Sequence, residues 1–452
     1  MEAVLIVFLS GILALFFGIA KKPLLVTFSA IAGLVLAAIA QCQGITFLAE
    51  KYHLIEFTNE NQPFFYLSLM LAGLILLSGQ SAFKNDESTI GDLTGLMLFS
   101  LSGGLILLGF KDLFMFFLGL EILSIPLYVM AGSNRKSGQS SEAALKYFYL
   151  GSFATAIFLF GIAMIYGTTA SFDLADISTR VSGLMQAQML PSMFYVGTLL
   201  VLVSMLFKVG AFPFHFWVAD VYQGTPSVFM SYMSSAVKLF GFYAFYRLFS
   251  DIFVYIDDFW GFLLVVAIGF SMLIGNISAL VQTKFKRLMA YSSISNGAYA
   301  LLAILALDNS TGLFIYMLAY GVSVVALMTI NESVNNDEDE LSNWNGAGKN
   351  VLMGITGTLA LLSVAGIPPL TGFFGKFMLF SDAFADYKWL ILLAVINSVI
   401  GVFIYLRIIL GLLNVKGENT RPAIEIPITK SIVLVACSLI LLLGWLSLYW
   451  IA

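Results

Sequence analysis

Residues 207–217 read FKVGAFPFHFW and residues 363–377 read SVAGIPPLTGFFGKF, and these two stretches decide the fold of this 452-residue chain. Each lies in a long apolar run but carries glycine, proline and one lysine, Lys208 in the first and Lys376 in the second. Such a composition predicts a helix that is interrupted at membrane depth. Non-helical backbone is tolerated there only inside protein or against a water-filled cavity. Each stretch therefore predicts a polar, hydrated site.

Prolines make such an interruption polar, because a proline cannot donate a hydrogen bond to the carbonyl four residues earlier. Pro368 and Pro369 thus free the carbonyls of Val364 and Ala365. The surrounding apolar run, residues 351–383, has 33 residues, whereas one straight crossing of a membrane needs only about 20. A broken helix fits this length better than a straight one.

The whole composition is typical of a polytopic membrane protein. Apolar residues make up 60% of the chain and charged residues 11%, against about 25% charged residues in soluble proteins. The net charge of −4 is too small and too scattered to favour a nucleic-acid partner. Two cysteines, Cys42 and Cys437, and two histidines, His53 and His215, are too few for a metal or haem cluster. We therefore predict an all-α membrane fold without a redox cofactor of its own.

Fourteen apolar runs are long enough to form transmembrane helices. The first run begins with Met1 and Glu2 and lacks a basic segment, so it is interpreted as a retained helix rather than a cleaved signal peptide. The runs are 2–20, 24–42, 65–82, 91–109, 112–131, 144–168, 193–214, 226–249, 258–281, 287–307, 311–333, 351–383, 388–412 and 431–451.

The connections between these runs indicate the orientation, because basic residues favour the inner side of the membrane. One set of connections holds 12 basic residues and the other holds 5, which predicts that both termini face outward. The acidic run from Asp337 to Glu340 lies on the inner side, but acidic residues contribute little to this rule. The inner set is Lys21, Lys22, Lys84, Arg135, Lys136, Lys284, Lys286, Arg287, Lys349, Lys416, Arg421 and Lys430, and the outer set is Lys51, Lys111, Arg180, Arg247 and Lys388.

Five of the 22 basic residues are not assigned to connections and lie inside the runs, and one acid, Glu121, joins them at the centre of the fifth run. An ionisable side chain at membrane depth costs at least ~2.5–3.5 kcal/mol, so its presence there indicates a function. Lysine suits proton transfer, because its ammonium loses a proton readily when it is desolvated, whereas arginine stays charged. These residues are Glu121, Lys146, Lys208, Lys238, Lys376 and Arg407.

Glu121 and Lys208 form the predicted switch, provided that their helices are neighbours. At an effective dielectric constant of ~20, an ion pair gains ~4 kcal/mol at ~4 Å and about half of that at ~8 Å. A movement of a few ångströms could therefore load or unload a proton on the lysine. The alternative is a buried ion pair that only locks helices together, but three membrane lysines cannot all pair with one acid.

For the other candidate residues, the sequence is compatible with both a functional and a structural interpretation. Lys146 is either functional or a surface partner of Glu142, four residues earlier. His215 either relays a proton between membrane lysines or lies in an interfacial loop. Arg407 is interpreted as a packing or lipid-headgroup residue, and His53 as a solvated loop residue.

Four segments in chain order resemble the antiporter-like subunits of respiratory complex I, the NADH:quinone oxidoreductase. The segments are EAALKYFYLGS from Glu142, FKVGAFPFHFWVADVYQGTPS from Phe207, KFKRLMAYSSISN from Lys284 and GIPPLTGFFGKF from Gly366. The resemblance covers roughly residues 100–450, while the first hundred residues match only in their pattern of helices. It implies about 14 transmembrane helices with two inverted five-helix repeats, in which helices 7 and 12 are broken. The implied parts are N-terminal helices in 1–110, a first repeat in 91–249, a second repeat in 258–412 and a last helix in 431–452.

The resemblance also implies a function, which is proton translocation coupled to quinone reduction by partner subunits. It assigns coupling with a neighbouring subunit to Glu121, proton storage to Lys208 and proton exchange to Lys376. The remaining members relay the proton between these points. The implied proton-transfer residues are Glu121, Lys146, Lys208, His215, Lys238 and Lys376.

The chain is expected to act as a non-redox subunit of a translocase and to bind no cofactor. Its sequence has neither a glycine-rich nucleotide loop after a strand nor a cysteine cluster for iron–sulfur. NADH, FMN, iron–sulfur clusters and quinone are therefore expected on partner subunits. The implied partners are antiporter-like subunit M, the side of the complex with the small subunits K and J, the peripheral-arm subunits and the lipids of a bacterial inner membrane.

One position departs from the family. Asn296 stands where members often have a histidine, and an amide cannot relay a proton at physiological pH. A proton route through this position needs water, held by Ser292, Ser293, Ser295 and Tyr299.

Two other functions share these features. The chain could be a subunit of a multi-subunit Na⁺/H⁺ antiporter, although those subunits usually carry glutamate at the position of Lys376. It could also be a membrane subunit of a related hydrogenase or ferredoxin-dependent complex. A purely structural helix bundle is disfavoured by the unpaired lysines.

Overall fold

The structure is a computed structural model that describes residues 1–45, 54–80, 89–307, 310–334, 339–414 and 423–448. Predictions that concern His53, Lys51, Lys84, Lys416, Arg421 and the first two residues of the acidic run at 337–340 lie outside the described residues. The helices are α1 Glu2–Ile19, α2 Pro23–Cys42, α3 Gln62–Gly79, α4 Thr89–Gly109, α5 Leu113–Ala131, α6 Gly138–Thr169, α7 Leu174–Gln186, α8 Ser192–Val209, α9 Phe216–Gly224, α10 Ser227–Ser234, α11 Ala236–Leu248, α12 Asp257–Leu280, α13 Phe285–Ala306, α14 Ser310–Val334, α15 Val351–Ala365, α16 Thr371–Phe384, α17 Lys388–Leu412 and α18 Ile428–Leu443.

The all-α membrane fold is confirmed. Twelve helical segments among the described residues are long and apolar enough to cross a membrane. One of these segments, Ser227–Leu280, contains both the eighth and the ninth predicted runs. The twelfth run is divided between α15 and α16, which are each too short to be counted. With these two differences taken into account, the twelve segments correspond to the fourteen predicted runs.

Both decisive stretches interrupt their helices. Helix α8 ends before Gly210, whose φ is 74°, and α9 starts six residues later. Helix α15 ends in the same way before Gly366, whose φ is 85°. Glycine accepts this left-handed conformation without a steric penalty, and the backbone N–H of each glycine donates to carbonyls of the preceding turn. The two breaks are therefore built alike.

The eighth run differs from its prediction, which was one continuous helix. Its first half, α10, ends at Ser235, where φ is −106° and ψ is −86°. The Ser235 hydroxyl donates to the carbonyl of Ser231 at 2.6 Å, and such a bond to the preceding turn often bends a helix. A π-helical turn, Phe249–Phe253, follows α11. The bend places a third irregular backbone segment close to a membrane lysine.

Helix α7 is absent from the predicted runs. It has 13 residues, so it is too short to cross a membrane. Its buried residues Leu174, Ile177 and Val181 are spaced three and four apart and cover one face. A search for long apolar runs overlooks such an amphipathic helix, because half of its residues are polar.

The core of the protein is formed by α13 and α14. In their most apolar 18-residue windows, 94% of α13 and 100% of α14 are buried inside the protein. Helices α2 and α17, by contrast, expose large apolar side chains such as Phe28, Trp389 and Val399. The polar residues from Ser292 to Asn296 on α13 are therefore enclosed by protein.

Lys430 and Arg247 are among the basic residues that were assigned to connections but lie within helices, so that part of the prediction was wrong. Lys430 belongs to α18 and is only 4% exposed, and its Nζ lies 3.2 Å from the carboxylate of Glu332 on α14. Arg247 belongs to α11, where its guanidinium donates to the carbonyl of Leu108. Both residues have partners on other helices, and these partners cannot be predicted from the positions of the two residues in the sequence.

Arg407 contacts backbone carbonyls of another helix rather than facing a lipid headgroup. Its guanidinium donates to the carbonyls of Leu280 and Gln282 at 2.9 and 3.3 Å. These carbonyls lie at the end of α12, where backbone oxygens lack helical partners. Arg407 on α17 therefore caps α12, which agrees with the packing interpretation.

Candidate functional site

Glu121 and Lys208 lie on neighbouring helices, as the predicted switch requires. Lys208, in the last turn of α8, donates to the hydroxyl of Ser124 at 3.1 Å. Ser124 is three residues after Glu121 on α5, so both face the same side of that helix. The Glu121 carboxylate accepts a hydrogen bond of 2.8 Å from Thr155 on α6. Glu121 and Lys208 do not form an ion pair within 4 Å, so their charges interact at longer range.

Lys238 is enclosed in the centre of the molecule. It follows the bend at Ser235 by three residues and is 6% exposed. Its Nζ donates to the backbone carbonyl of Ser293 on α13 at 2.7 Å. The residue therefore joins α11 to α13, through a carbonyl rather than through an acid.

Lys376 lies on α16 at the second break and is 7% exposed. Its Nζ donates at 3.1 Å to the carbonyl of Ala365, which is one of the two carbonyls that the paired prolines were predicted to free. The same ammonium lies 4.7 Å from the centre of the Tyr299 ring, a favourable cation–π geometry. A Cβ on Gly366 would lie 2.8 Å from the Lys376 side chain, so this glycine leaves room for the lysine.

Asn296 is the centre of a buried polar network between these two lysines. Its amide nitrogen donates to the hydroxyl of Tyr405 at 2.9 Å and to the carbonyl of Ser292 at 2.8 Å. Its amide oxygen accepts from the hydroxyl of Tyr316 at 3.1 Å. Tyr405 and Ser292 also share a hydrogen bond of 2.6 Å. The sequence predicted the serines here but missed the two tyrosines, which come from α14 and α17.

Tyr299 lies next to this network, on the side of Lys376. Its hydroxyl accepts from Asn397 at 3.0 Å, and Asn397 also donates to Ser295 at 3.0 Å. A Cβ on Gly375 would lie 2.6 Å from the backbone of Tyr316, so α14 and α16 touch beside Lys376. The polar stripe of α13 thus runs from the carbonyl that binds Lys238 to the ring beneath Lys376.

A row of serines on α10 leads to Lys238 and was also missed. Ser227, Ser231 and Ser234 precede Lys238 at spacings of four, three and four residues, which places them on one helix face. Ser234 shares a hydrogen bond of 3.1 Å with the hydroxyl of Tyr320. The buried Ser231 hydroxyl has no partner among the protein atoms. The regular spacing was a detectable signal, but serine is too common in apolar helices to be specific.

Lys146 is held by two carboxylates. Its Nζ lies 2.6 Å from Glu142, so the predicted pair four residues apart is confirmed. It also lies 2.6 Å from Asp220 on α9, which the sequence analysis overlooked. Asp220 is the acid of the ADVYQGTP segment, and its role depends on contacts with distant helices.

His215 begins α9 at the end of the first break. Its ring packs on Phe212 with a centroid distance of 6.0 Å, and its Nδ1 is buried without a hydrogen-bond partner. No described hydrogen bond connects His215 to Lys208 or Lys238, so its relay role remains a prediction.

A polar cavity of about 580 Å³ lies where α9 ends and α13 begins. Its lining includes Lys284, Lys286, Asp339 and Gln223. Burial raises the pKa of the Asp339 carboxyl above its usual value, while the nearby Lys286 ammonium opposes that rise. The described residues contain no group of three or more His, Cys, Asp or Glu side chains that could hold a metal ion.

The comparisons with known proteins agree with this arrangement. The sequence profile of a family described as "NADH:quinone oxidoreductase/Mrp antiporter, TM" matches residues 111–401, which is more than half of the chain. The chain belongs to this family. The matched residues include both breaks and Lys146, Lys208, Lys238 and Lys376.

Members of the family resemble the chain over nearly its full length. NADH-quinone oxidoreductase subunit N of Cytophaga hutchinsonii is 36% identical over 399 residues, which cover 87% of this chain and 86% of that protein. A chain of respiratory complex I from Thermus thermophilus with bound aureothin has 29% identity and a TM-score of 0.84, covering 99% of this chain and 98% of its own. A chain of the Mrp complex from Dietzia sp. DQ12-45-1b has a TM-score of 0.83 but 20% identity, with 99% and 93% covered, and so shares the fold alone.

Proposed function

We propose that the chain is a proton-translocating membrane-arm subunit of an NADH:quinone oxidoreductase, equivalent to subunit N. The observation that carries this proposal is the line formed by the partly buried Lys208 and the buried Lys238 and Lys376, each hydrogen-bonded to a neutral oxygen. A lysine that donates to a carbonyl or hydroxyl is free to lose its proton, whereas a tight ion pair would hold the proton in place. The subunit N relative at 36% identity agrees with this assignment.

Each residue then has a role in the transfer. Glu121 responds to the neighbouring subunit and changes the charge near Lys208, which stores the proton. Lys238 passes the proton to the polar stripe of α13, and Lys376 exchanges it at the second break. His215 at the first break and Lys146 in the N-terminal part of α6 assist the first half of the route.

Partner subunits supply the electron chemistry. NADH, FMN, iron–sulfur clusters and quinone bind elsewhere in the complex, and this chain acts as a non-redox part of the translocase. Membrane-arm subunit M and the side with subunits K and J are its proposed neighbours. Exposed apolar residues on α2 and α17 suit either a neighbouring subunit or lipid.

The Na⁺/H⁺ antiporter alternative has weaker support. The Dietzia Mrp chain is 20% identical, compared with 36% for the subunit N relative. Position 376 is a lysine rather than a glutamate. A purified complex without a flavin and iron–sulfur arm would nevertheless overturn the preferred function.

The two five-helix segments are proposed to be inverted repeats. The segment from α4 to α11 and the segment from α12 to α17 each cross the membrane five times, and the fourth crossing is broken in each. An odd number of crossings starts the second segment on the opposite side of the membrane. The parts 91–249 and 258–412 contain these segments, between N-terminal helices in 1–110 and a last helix in 431–452.

Both termini are expected to face the outer side of a bacterial inner membrane. An impermeant thiol reagent applied to intact cells should label a cysteine introduced at Glu2 and should leave one introduced at Arg135 unlabelled. The reason is the bias of basic residues toward the inner side. The reverse labelling pattern, with equal labelling of both sites after lysis as the control, would contradict this orientation.

Replacing Lys208 with methionine tests the proposed function directly. In membrane vesicles with the assembled complex, we expect NADH-driven proton translocation to fall by about tenfold, which corresponds to ~1.4 kcal/mol in the barrier. NADH oxidation by an artificial acceptor should persist and reports an intact peripheral arm. Lys111→Met is the matched control, since this exposed lysine pairs with Glu56 outside the route. Unchanged proton translocation in the assembled Lys208→Met complex would refute the proposal.

A further inference from the structure

We propose that Asp220 is a positioning residue that couples the first five-helix segment to the second. Its two carboxylate oxygens bind different helices: Oδ2 lies 2.6 Å from Lys146 Nζ on α6, and Oδ1 lies 2.8 Å from Arg287 Nη1 on α13. Helix α9, which carries Asp220, is the half-helix after the first break. This inference rests on the proposed function, because it concerns how the same route is controlled.

Neighbouring contacts fasten the same end of α9 to α13. The Nζ of Lys286 donates to the carbonyls of Gln223 and Thr225 at 2.9 and 3.0 Å. Arg287 donates to the side chain of Gln223 at 3.0 Å as well as to Asp220. Cations suit the C-terminal end of a helix, where carbonyl oxygens lack partners. The end of α9 is therefore tied to the second segment at several points.

The start of α9 is tied to the first segment. The Trp217 ring stacks on Tyr147 of α6 at a centroid distance of 4.8 Å and an interplanar angle of 11°. The indole of Trp217 also donates to the carbonyl of Phe207, beside Lys208. Helix α9 thus reaches from the storage lysine to the first turn of α13.

Lys146 and Arg287 both pair with the carboxylate of Asp220. No described hydrogen bond or ion pair joins these two cations directly, and like charges repel one another. A change in the charge or position of Lys146 leaves Asp220 with Arg287 as its remaining partner. Helix α9 is then held more by α13 than by α6. A change at Lys146 in the first segment therefore alters the contacts of α9 with α13, at the start of the second segment.

Loss of Asp220 should affect proton translocation more than folding. Its side chain is 35% exposed, and those of Lys146 and Arg287 are 39% and 31% exposed. Ion pairs at such partly exposed positions contribute little to stability. Variants at these positions are therefore expected to assemble.

The experiment compares single, double and triple variants in vesicles that contain the assembled complex, with NADH-driven proton translocation as the readout. We expect Asp220→Asn, Lys146→Gln and Arg287→Gln each to lower the rate by about threefold to tenfold. Since the three residues act as one unit, Lys146→Gln combined with Arg287→Gln should lower the rate no further than the stronger single change. In the Asp220→Asn background, neither added substitution should have a further effect.

Two controls separate positioning from general structure. Glu142→Gln removes the other partner of Lys146, whose carboxylate is 63% exposed, and should leave the rate within about twofold. Asp220→Glu keeps the carboxylate and should restore part of the rate. Multiplicative effects of the substitutions, or a normal rate in Asp220→Asn, would overturn the inference.

The same vesicles distinguish this inference from the proposed function. If Lys238→Met stops translocation while Asp220→Asn leaves it normal, only the role of Asp220 is refuted. If Lys238→Met also leaves translocation normal, the proposed function itself fails.

Discussion

The Lys238→Met complex is expected to lose proton translocation by on the order of 10²-fold, the usual contribution of a positioned proton-transfer group. Lys238 is 6% exposed, and its ammonium donates to the Ser293 carbonyl, the contact that joins α11 to α13. Methionine has a similar length but carries no proton. Proton uptake by inverted vesicles, measured with a pH-sensitive dye after NADH addition, checks this outcome.

Two comparisons make the Lys238 result decisive. Lys388→Met removes an exposed lysine at the start of α17 and should leave proton uptake unchanged. Lys238→Arg keeps a positive charge that does not give up its proton, so it should fail like methionine. If arginine restored uptake, Lys238 would serve only as a fixed charge.

Asn296→Leu is expected to lower proton translocation by about 30-fold. The substitution removes the hydrogen bonds between the Asn296 side-chain amide and the hydroxyls of Tyr405 and Tyr316. Two net hydrogen bonds of about 1 kcal/mol each correspond to that factor in a rate. The loss should appear in vesicle proton uptake, with the amount of assembled complex measured in parallel.

Asn296→His is the matched variant for this prediction. Histidine can bond the same tyrosines and can itself carry a proton, so it should keep the rate within about threefold of the original. A leucine variant that translocates protons normally would show that the network of Asn296 lies off the route. A histidine variant as slow as leucine would indicate that the amide is needed for its shape alone.

The sequence predicted the parts of the site that depend on local pattern. Proline chemistry pointed to the carbonyl of Ala365, and Lys376 binds that carbonyl in the structure. Charge at membrane depth singled out Lys238 without any knowledge of its neighbours. Lys430 was wrongly assigned to a loop, because a lysine near the end of an apolar run looks like a loop residue until its partner Glu332 is known.

Partners distant in sequence could not be predicted. Ser292 and Tyr405 are 113 residues apart, and Lys146 and Asp220 are 74 residues apart. Tyrosines and serines are common in apolar helices, so only their convergence on Asn296 distinguishes Tyr316 and Tyr405. Asp220 was overlooked for the same reason, since its two cations lie on other helices.

The sequence by itself determined the class of fold and the positions of the two breaks at Gly210 and Gly366, because helix formation in a membrane depends on local apolar length and on proline and glycine. It also singled out Lys238 and Lys376, which are buried, but it did not identify the buried Lys430. Only the tertiary structure decided which polar groups they contact. Those contacts arise when helices pack, and packing brings together residues whose separation along the chain carries no signal.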